Sequence, residues 1–267
     1  MEDFFGLSKM LIDNKLAIVI DPFNDEQIYI NTGLELDDVT FYYDEAKTCK
    51  GKVLELGCGY GRILLQLIEK GIQIEGLERA EKLINFAMQA AEKRNVKVKI
   101  YNADMRNISN IVEEIYELVI CPNYVMDYIE SYEEFEKLLL SIKDRLQLGG
   151  TLIFNVDLKD EAEVDYGPAI SNIKYNEAEK KLYTSIVQTK NLNDDCRVCN
   201  LTTFVTEKQK TKLYVSCVRE FRWNIEKILK IVEKTGFEVE EMYKDYERNK
   251  FIHERDSECI LKIRRDR

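Results

Sequence analysis

The stretch Glu55-Leu56-Gly57-Cys58-Gly59-Tyr60-Gly61 holds the residue types and spacing most able to do chemistry in this 267-residue chain. Alternating glycines permit a tight turn and let a ligand approach the backbone and the amino end of the helix that follows. The apolar run 53–56 precedes the turn, which places it between a strand and a helix. The spacing is GxGxG, with Arg62 where the dinucleotide fingerprint GxGxxG has its third glycine. Glu55 ends the strand just before the turn. A carboxylate there opposes a pyrophosphate by about 1 kcal/mol or more at close range and attracts an ammonium group. The loop therefore suits a cofactor bearing an amino acid better than NAD.

Two further acids stand at the ends of the next two predicted strands. Glu78, followed by Arg79, lies at the position from which a carboxylate accepts hydrogen bonds from ribose hydroxyls in nucleotide-binding α/β folds. Asp104, followed by Met105, comes after the third strand. Carboxylates at the carboxyl ends of three successive strands line one crevice, where open α/β sheets bind their ligands.

The elements that position these residues alternate. Strands are predicted at 53–56, 72–77, 98–101, 118–121 and 151–156, with helices at 62–70, 81–94 and 132–146 between them. Such alternation indicates βαβ units and a parallel sheet covered on both faces. After residue 157 the rhythm changes to an acidic loop and then period-2 runs at 182–188, 198–206 and 212–218. A helix at 224–235 and strands at 237–243 and 259–263 return to the first pattern. The first forty residues read as helical segments, with Asp37 or Asp38 capping a turn that carries Phe41, Tyr42 and Tyr43. The expected division is a doubly wound core, 1–157 and 222–267, with an N-terminal helical lid, and an antiparallel β cap inserted at 158–221.

Composition sets the outer bounds. Hydrophobic residues make up 45% of the chain, enough for a core, and no apolar run approaches the roughly 20 residues of a membrane helix. The first residues are acidic and their apolar positions are broken by charge, unlike a secretory signal, which points to a cytoplasmic protein. Acidic residues outnumber basic ones 49 to 39, for a net charge of −10, which disfavours a nucleic-acid partner. Seven cysteines and one histidine suit reduced thiols rather than a disulfide framework. The lone CxxC, Cys196 and Cys199, lies in a predicted strand and has no second pair, so no metal site is expected.

With these motifs in register, the segment 53–157 resembles the core of class I S-adenosylmethionine-dependent methyltransferases. The resemblance implies an α/β fold with a doubly wound, seven-stranded, mostly parallel Rossmann-like sheet and its last strand antiparallel, here with an antiparallel β insertion after strand five. It implies S-adenosylmethionine as cofactor. Glu55, Gly57, Gly59 and Gly61 would hold its methionine part, Glu78 its ribose, and Asp104 and Met105 its adenine, with Cys121 beside it; Cys58 and Arg79 are further cofactor-binding candidates, and the two cysteines could instead be small packing residues near the site. Leu148-Gly149-Gly150 resembles the family's turn into strand five, where a proline commonly replaces Leu148.

The acceptor side is less legible. The segment Pro122-Asn123-Tyr124-Val125-Met126-Asp127-Tyr128 follows strand four, the edge that meets the acceptor in this family, and it departs from the Asn/Asp-Pro-Pro-Tyr signature of base methylation. Tyr124 and Asp127 are the candidate catalytic residues; Asp127 could take a proton or cap a helix. Tyr29 and Tyr43 could hold a sulfonium by cation–π contact or simply pack. Asn123 and Arg222 are further candidates for substrate binding. The expected activity is in-line transfer of a methyl group to nitrogen or oxygen of a small-molecule acceptor. The alternatives are a non-catalytic cofactor-binding sensor or scaffold and an NAD-dependent oxidoreductase.

Overall fold

A computed structural model describes residues 3–23, 25–32, 37–159 and 166–266. In chain order the first elements are α1 (Gly6–Asp13), β1 (Ile18–Val19), α2 (Glu26–Thr32), α3 (Val39–Ala46), β2 (Val53–Leu56) and α4 (Leu64–Glu69). Then come β3 (Ile74–Glu78), α5 (Glu81–Lys93), β4 (Ile100–Asn102), α6 (Ile108–Ile111), β5 (Tyr116–Cys121), α7 (Tyr132–Lys143) and β6 (Leu146–Asp157). The chain continues through β7 (Tyr166–Asn176), β8 (Lys181–Asn193), β9 (Cys196–Glu207) and β10 (Lys210–Phe221), and closes with α8 (Ile225–Lys234), β11 (Phe237–Tyr243) and β12 (Glu258–Arg265).

The chain forms two compact units, 36–160 with 221–267, and 1–35 with 161–220. In the first, seven strands run in the order β11-β12-β6-β5-β2-β3-β4. The strands from β4 across to β6 pair parallel, whereas β12 is antiparallel to both β6 and β11. This is the doubly wound, mostly parallel sheet expected. Alternation along the strands separates two apolar layers. Leu54, Val119, Cys121, Phe154 and Leu261 face the layer that contains Phe135 and Trp223, while Val53, Leu118, Ile120, Ile153 and Ile260 face Phe41, Tyr42 and Leu64. Burial on both faces is why these strands read as continuous apolar runs rather than as alternating ones.

Helix α7 ends at Lys143, and β6 begins at Leu146 rather than at 151. Leu146 is wholly buried and pairs with Tyr116, and the register shifts before Leu118 meets Thr151. The Gly149-Gly150 pair, with Gly149 at φ +76, thus lies inside an irregular strand instead of ending a helix.

The second unit holds a five-stranded sheet in the order β1-β10-β9-β8-β7. The antiparallel insertion is as expected, but it contains one strand more than the sequence suggested. Residues 166–176, read as part of an acidic loop, form the edge strand β7, paired antiparallel with β8. Gly167, Pro168 and two irregularities of register blur its period, and its apolar Ile170 and Ile173 point outward.

The first thirty-five residues also depart from expectation, because they group with this sheet instead of with the core. Strand β1 runs parallel to β10, with Ile18 opposite Tyr214. Leu7 N donates to Gln188 Oε1 at 2.6 Å, Ser8 Oγ lies 2.8 Å from Thr202 Oγ1, and Asp3 takes two 2.8 Å bonds from Arg219. Buried Asn200 and Thr202, two apart on β9, share one face of the sheet with Gln188, so polar partners as well as apolar ones meet α1 there.

Candidate functional site

The glycine loop follows β2 at the carboxyl edge of the parallel strands. Gly57, Gly59 and Gly61 adopt φ of +67, +53 and +83, a region that side chains with a Cβ rarely enter. Backbone bonds close the turn onto β3: Gly57 N and Cys58 N both donate to Leu77 O, at 2.8 and 3.1 Å. Glu78 ties the loop from its other side, accepting from Gly59 N at 2.9 Å and from Arg79 N and Ala80 N at 2.8 Å each. Cys58 turns its thiol inward, where it occupies the space a Cβ on Gly76 would fill. Its part is packing, and burial raises its thiol pKa well above the ordinary range.

Gly57 also meets the acceptor-side loop, for a Cβ there would lie 2.7 Å from Val125 Cγ2. Gly57→Ala is therefore expected to cost about 2–4 kcal/mol, from backbone strain plus overpacking. Val125→Ala in the same chain should recover the packing part only. Urea midpoints of the single and double variants check this, and full recovery would show that φ carries no strain.

Glu55 is buried at 3% exposure behind the loop, and its Oε2 has no hydrogen-bond partner. Desolvation pushes its carboxyl up to about 8; nearby Arg62 and the backbone N–H of Leu64 pull it down, while Asp38 pushes it further up. Arg62 is committed elsewhere: its guanidinium forms a two-pronged pair with fully buried Asp38, one arm at 2.8 Å. Asp38 thus sits at the N-cap position of α3, as anticipated, but its side chain pairs with Arg62 and does not cap.

Asp104 caps the single 3-10 turn Met105–Asn107, accepting from Arg106 N at 2.9 Å and from the Arg106 guanidinium at 2.9 and 2.7 Å. These bonds hold its carboxyl below the usual range. Met105 packs against the larger apolar layer, and Cys121, wholly buried at the end of β5, has its thiol pKa raised by desolvation. A cofactor with an amino-acid end fits this edge. An orphaned buried carboxylate oxygen awaits a donor at Glu55, three positive-φ glycines leave the loop open to close approach, Glu78 ends β3, and Asp104 follows β4 by two residues.

Several acceptor-side candidates lie elsewhere or have other work. Asp127 is 3% exposed and accepts from Trp223 Nε1 at 2.8 Å and weakly from Asp157 N, so it braces the turn after β5 against the core. Arg222, also buried, donates to Leu158 O at 2.5 Å and lies 3.8 Å from Asp157 Oδ1, a structural position rather than a substrate contact. The Tyr43 ring lies under Lys47 and under Lys70, which follows α4. That end of α4 is opposite the glycine loop, so Tyr43 faces away from the site. Tyr29 belongs to the other unit, where its ring lies 6.1 Å from Phe23. Cys196 and Cys199 are three apart on an extended strand and point to opposite faces, and Cys199 donates to Glu220. No metal-binding cluster exists among the described residues.

Asn123 and Tyr124 lie immediately after β5, at φ +56 and +57, on the same edge of the sheet as the glycine loop. Tyr124 N donates to Asn155 Oδ1 at 3.1 Å, and its hydroxyl donates to Glu258 Oε2 at 2.5 Å. Asn155 and Glu258 escaped the sequence reading because they sit on β6 and β12, far from Tyr124 in the chain. Two adjacent non-glycine residues in left-handed conformation leave little trace in sequence beyond the Pro122-Asn123 pair, whose asparagine is the first of them.

Residues 53–150 match the family model described as a methyltransferase domain. The chain is 28% identical over 120 residues to the putative methyltransferase YqeM of Bacillus subtilis (strain 168), covering 45% of this chain and 48% of that protein. It spans about half the length, or less, of the curated relatives it matches. The fold resembles an S-adenosylmethionine-dependent methyltransferase from Clostridium acetobutylicum, with a TM-score of 0.73 and 14% identity over 88% of this chain and 94% of that one. It also resembles CalS10, an amino pentose methyltransferase from Micromonospora echinaspora, with a TM-score of 0.68 and 15% identity over 90% and 95% of the two chains. Residues 53–150 therefore carry a methyltransferase domain, and the sheet built around them has the fold seen in S-adenosylmethionine-dependent methyltransferases.

Proposed function

We propose that the chain catalyses transfer of a methyl group from S-adenosylmethionine to nitrogen or oxygen of a small-molecule acceptor. The observation that carries this reading is the acid-lined edge: buried Glu55 with an oxygen lacking a partner, and Glu78 and Asp104 at the ends of the next two strands, around a glycine loop inside a methyltransferase domain. The likeness to an amino pentose methyltransferase supports a small acceptor.

The cofactor supplies an activated methyl group on a sulfonium. Glu55 would receive its ammonium group, Glu78 its ribose hydroxyls and Asp104 its adenine. What the chain adds is alignment and exclusion of water, effects that can reach about 7–11 kcal/mol when reacting atoms are held in line. Both thiols near the loop are buried with raised pKa values, so no thiolate is available as a nucleophile.

Calorimetric titration with S-adenosylmethionine, S-adenosylhomocysteine and NADH, run in parallel, tests the reading. Binding of the two sulfur compounds and not of NADH is expected, whereas binding of NADH alone would replace it with a dinucleotide enzyme. Turnover of a labelled methyl group on a panel of small amines and alcohols separates an enzyme from a sensor. Glu78→Gln should weaken S-adenosylmethionine binding by about 1–3 kcal/mol, from the loss of charge-assisted hydrogen bonds. Unchanged affinity would remove Glu78 from the ribose site.

A further inference from the structure

We propose that Tyr124, Glu258 and Asn155 form the acceptor subsite, and that it takes a protonated amine with an oxygen substituent beside it. This rests on the methyltransferase reading and narrows its acceptor atom to nitrogen.

The placement comes first. Glu258 opens β12 and pairs in register with Asp157, the last residue of β6. Since β12 runs antiparallel to β6, its first residue lies at the same edge as the glycine loop. Tyr124 follows β5 at that edge, and the next residue, Val125, touches Gly57. The pair is thereby placed one residue from a side chain that packs on the glycine loop.

Charge comes second. Several carboxylates at this edge are already answered: Asp38 by Arg62, Asp104 by Arg106, Asp157 by Arg222. Glu258 is exposed and has no basic partner among the described residues. Its hydrogen-bond partner is the neutral Tyr124 hydroxyl, and Tyr246 lies close enough to feel its charge. An accessible carboxylate without a cation, set beside the lone pairs of a phenol oxygen, recognises an ammonium group and offers an uncharged alcohol much less.

The third observation is Asn155. It is 1% exposed, its Oδ1 is spent on Tyr124 N, and its buried Nδ2 makes no well-formed hydrogen bond, although it lies near enough to the Tyr124 hydroxyl to draw that pKa down. An orphaned donor inside the protein carries the full cost of its desolvation, and an acceptor oxygen removes that cost. A hydroxyl or ether oxygen next to the amine would meet it.

The chemistry balances. One proton of the bound ammonium passes to Tyr124 Oη as Tyr124 gives its own hydroxyl proton to Glu258, and water removes that proton from the exposed carboxyl. The freed nitrogen lone pair forms the N–C bond to the methyl group while the S–C bond breaks, its electron pair staying on sulfur. Tyr124 is then the catalytic residue, and Glu258 acts through it.

The test uses the full chain saturated with S-adenosylhomocysteine and titrated calorimetrically with D-glucosamine and D-glucose. The unmodified protein should bind glucosamine at least tenfold more tightly than glucose. Glu258→Gln keeps the side chain's size and an oxygen for Tyr124, and it should erase that preference while leaving S-adenosylhomocysteine affinity unchanged. Tyr124→Phe should lower kcat for methylation of the amine more than it raises KM. No binding of glucosamine, equal binding of both sugars, or a preference that survives in Glu258→Gln overturns the subsite. Failure of S-adenosylhomocysteine itself to bind overturns the cofactor reading instead, and the subsite falls with it.

Discussion

Glu55→Gln is expected to flatten a fall in stability that the unmodified protein shows between about pH 5 and pH 8 when no cofactor is bound. The carboxyl titrates near 4.5 in an unfolded chain and is pushed up to about 8 by burial in the folded one. Between those values the folded state holds a proton that the unfolded state has lost, so the sign is fixed: stability is fully present below about pH 4.5 and is lost as pH rises through 8. The gap corresponds to roughly 5 kcal/mol, an order of magnitude for one fully buried group. Glutamine keeps the shape and cannot titrate. Urea unfolding of both proteins at several pH values isolates the difference, because groups remote from Glu55 titrate alike in the two. Parallel curves would show that Glu55 is ionised in the empty protein. Under the proposed function, S-adenosylmethionine should shrink the slope further, since its ammonium group favours the carboxylate.

Asp38→Ala is the second change with a large expected effect. Asp38 is wholly buried, and the Arg62 guanidinium it holds is itself mostly enclosed. Removing one member of such a pair leaves an uncompensated buried charge, at a cost of about 3–5 kcal/mol. The consequence reaches Glu55, because Arg62 lowers its pKa and Asp38 raises it. Losing Asp38 should therefore move the Glu55 titration toward acid and shorten the pH range over which stability falls. Denaturant midpoints at two pH values check both statements together. A loss under 1 kcal/mol with an unchanged pH slope would mean that the pair contributes neither stability nor control of Glu55.

These expectations share a cause. The glycine loop is surrounded by acids, and the fold answers each differently. Glu78 receives three backbone N–H groups, Asp104 an arginine two residues away, Asp38 the arginine just past the loop, and Glu55 only one backbone donor and its proton. An edge balanced in this way can accept a cationic ligand with little rearrangement, because the positive charge replaces a proton instead of breaking an ion pair.

Much of this was legible in the chain itself. The parallel strands bury both faces, so their apolar runs stood out, and the helices between them show the 3.6-residue period. The glycine spacing, Glu55, the acid ending β3 and the acid just after β4 are local features, each determined by a few consecutive residues. The seven strands and the antiparallel direction of the last followed from family resemblance to those motifs. The insertion was recognised as antiparallel from its period-2 runs, but its edge strand β7 was not, since Gly167, Pro168 and outward-facing isoleucines mask the alternation.

Only the tertiary structure decided which side chains meet across long stretches of sequence. Asp127 reads as a general base until Trp223, almost a hundred positions away, donates to it. Tyr43 and Arg222 carry suitable chemistry for a substrate but are turned to a lysine pair and to a buried backbone oxygen. Helix α1 carries no signal of its partner, because its hydrogen bonds run to threonine and glutamine on the inserted sheet, almost two hundred positions away. Tyr124 and Glu258 are 134 positions apart and become neighbours because β12 is laid antiparallel beside β6. Local pattern records which residues can do chemistry; strand order and direction set which of them share a site.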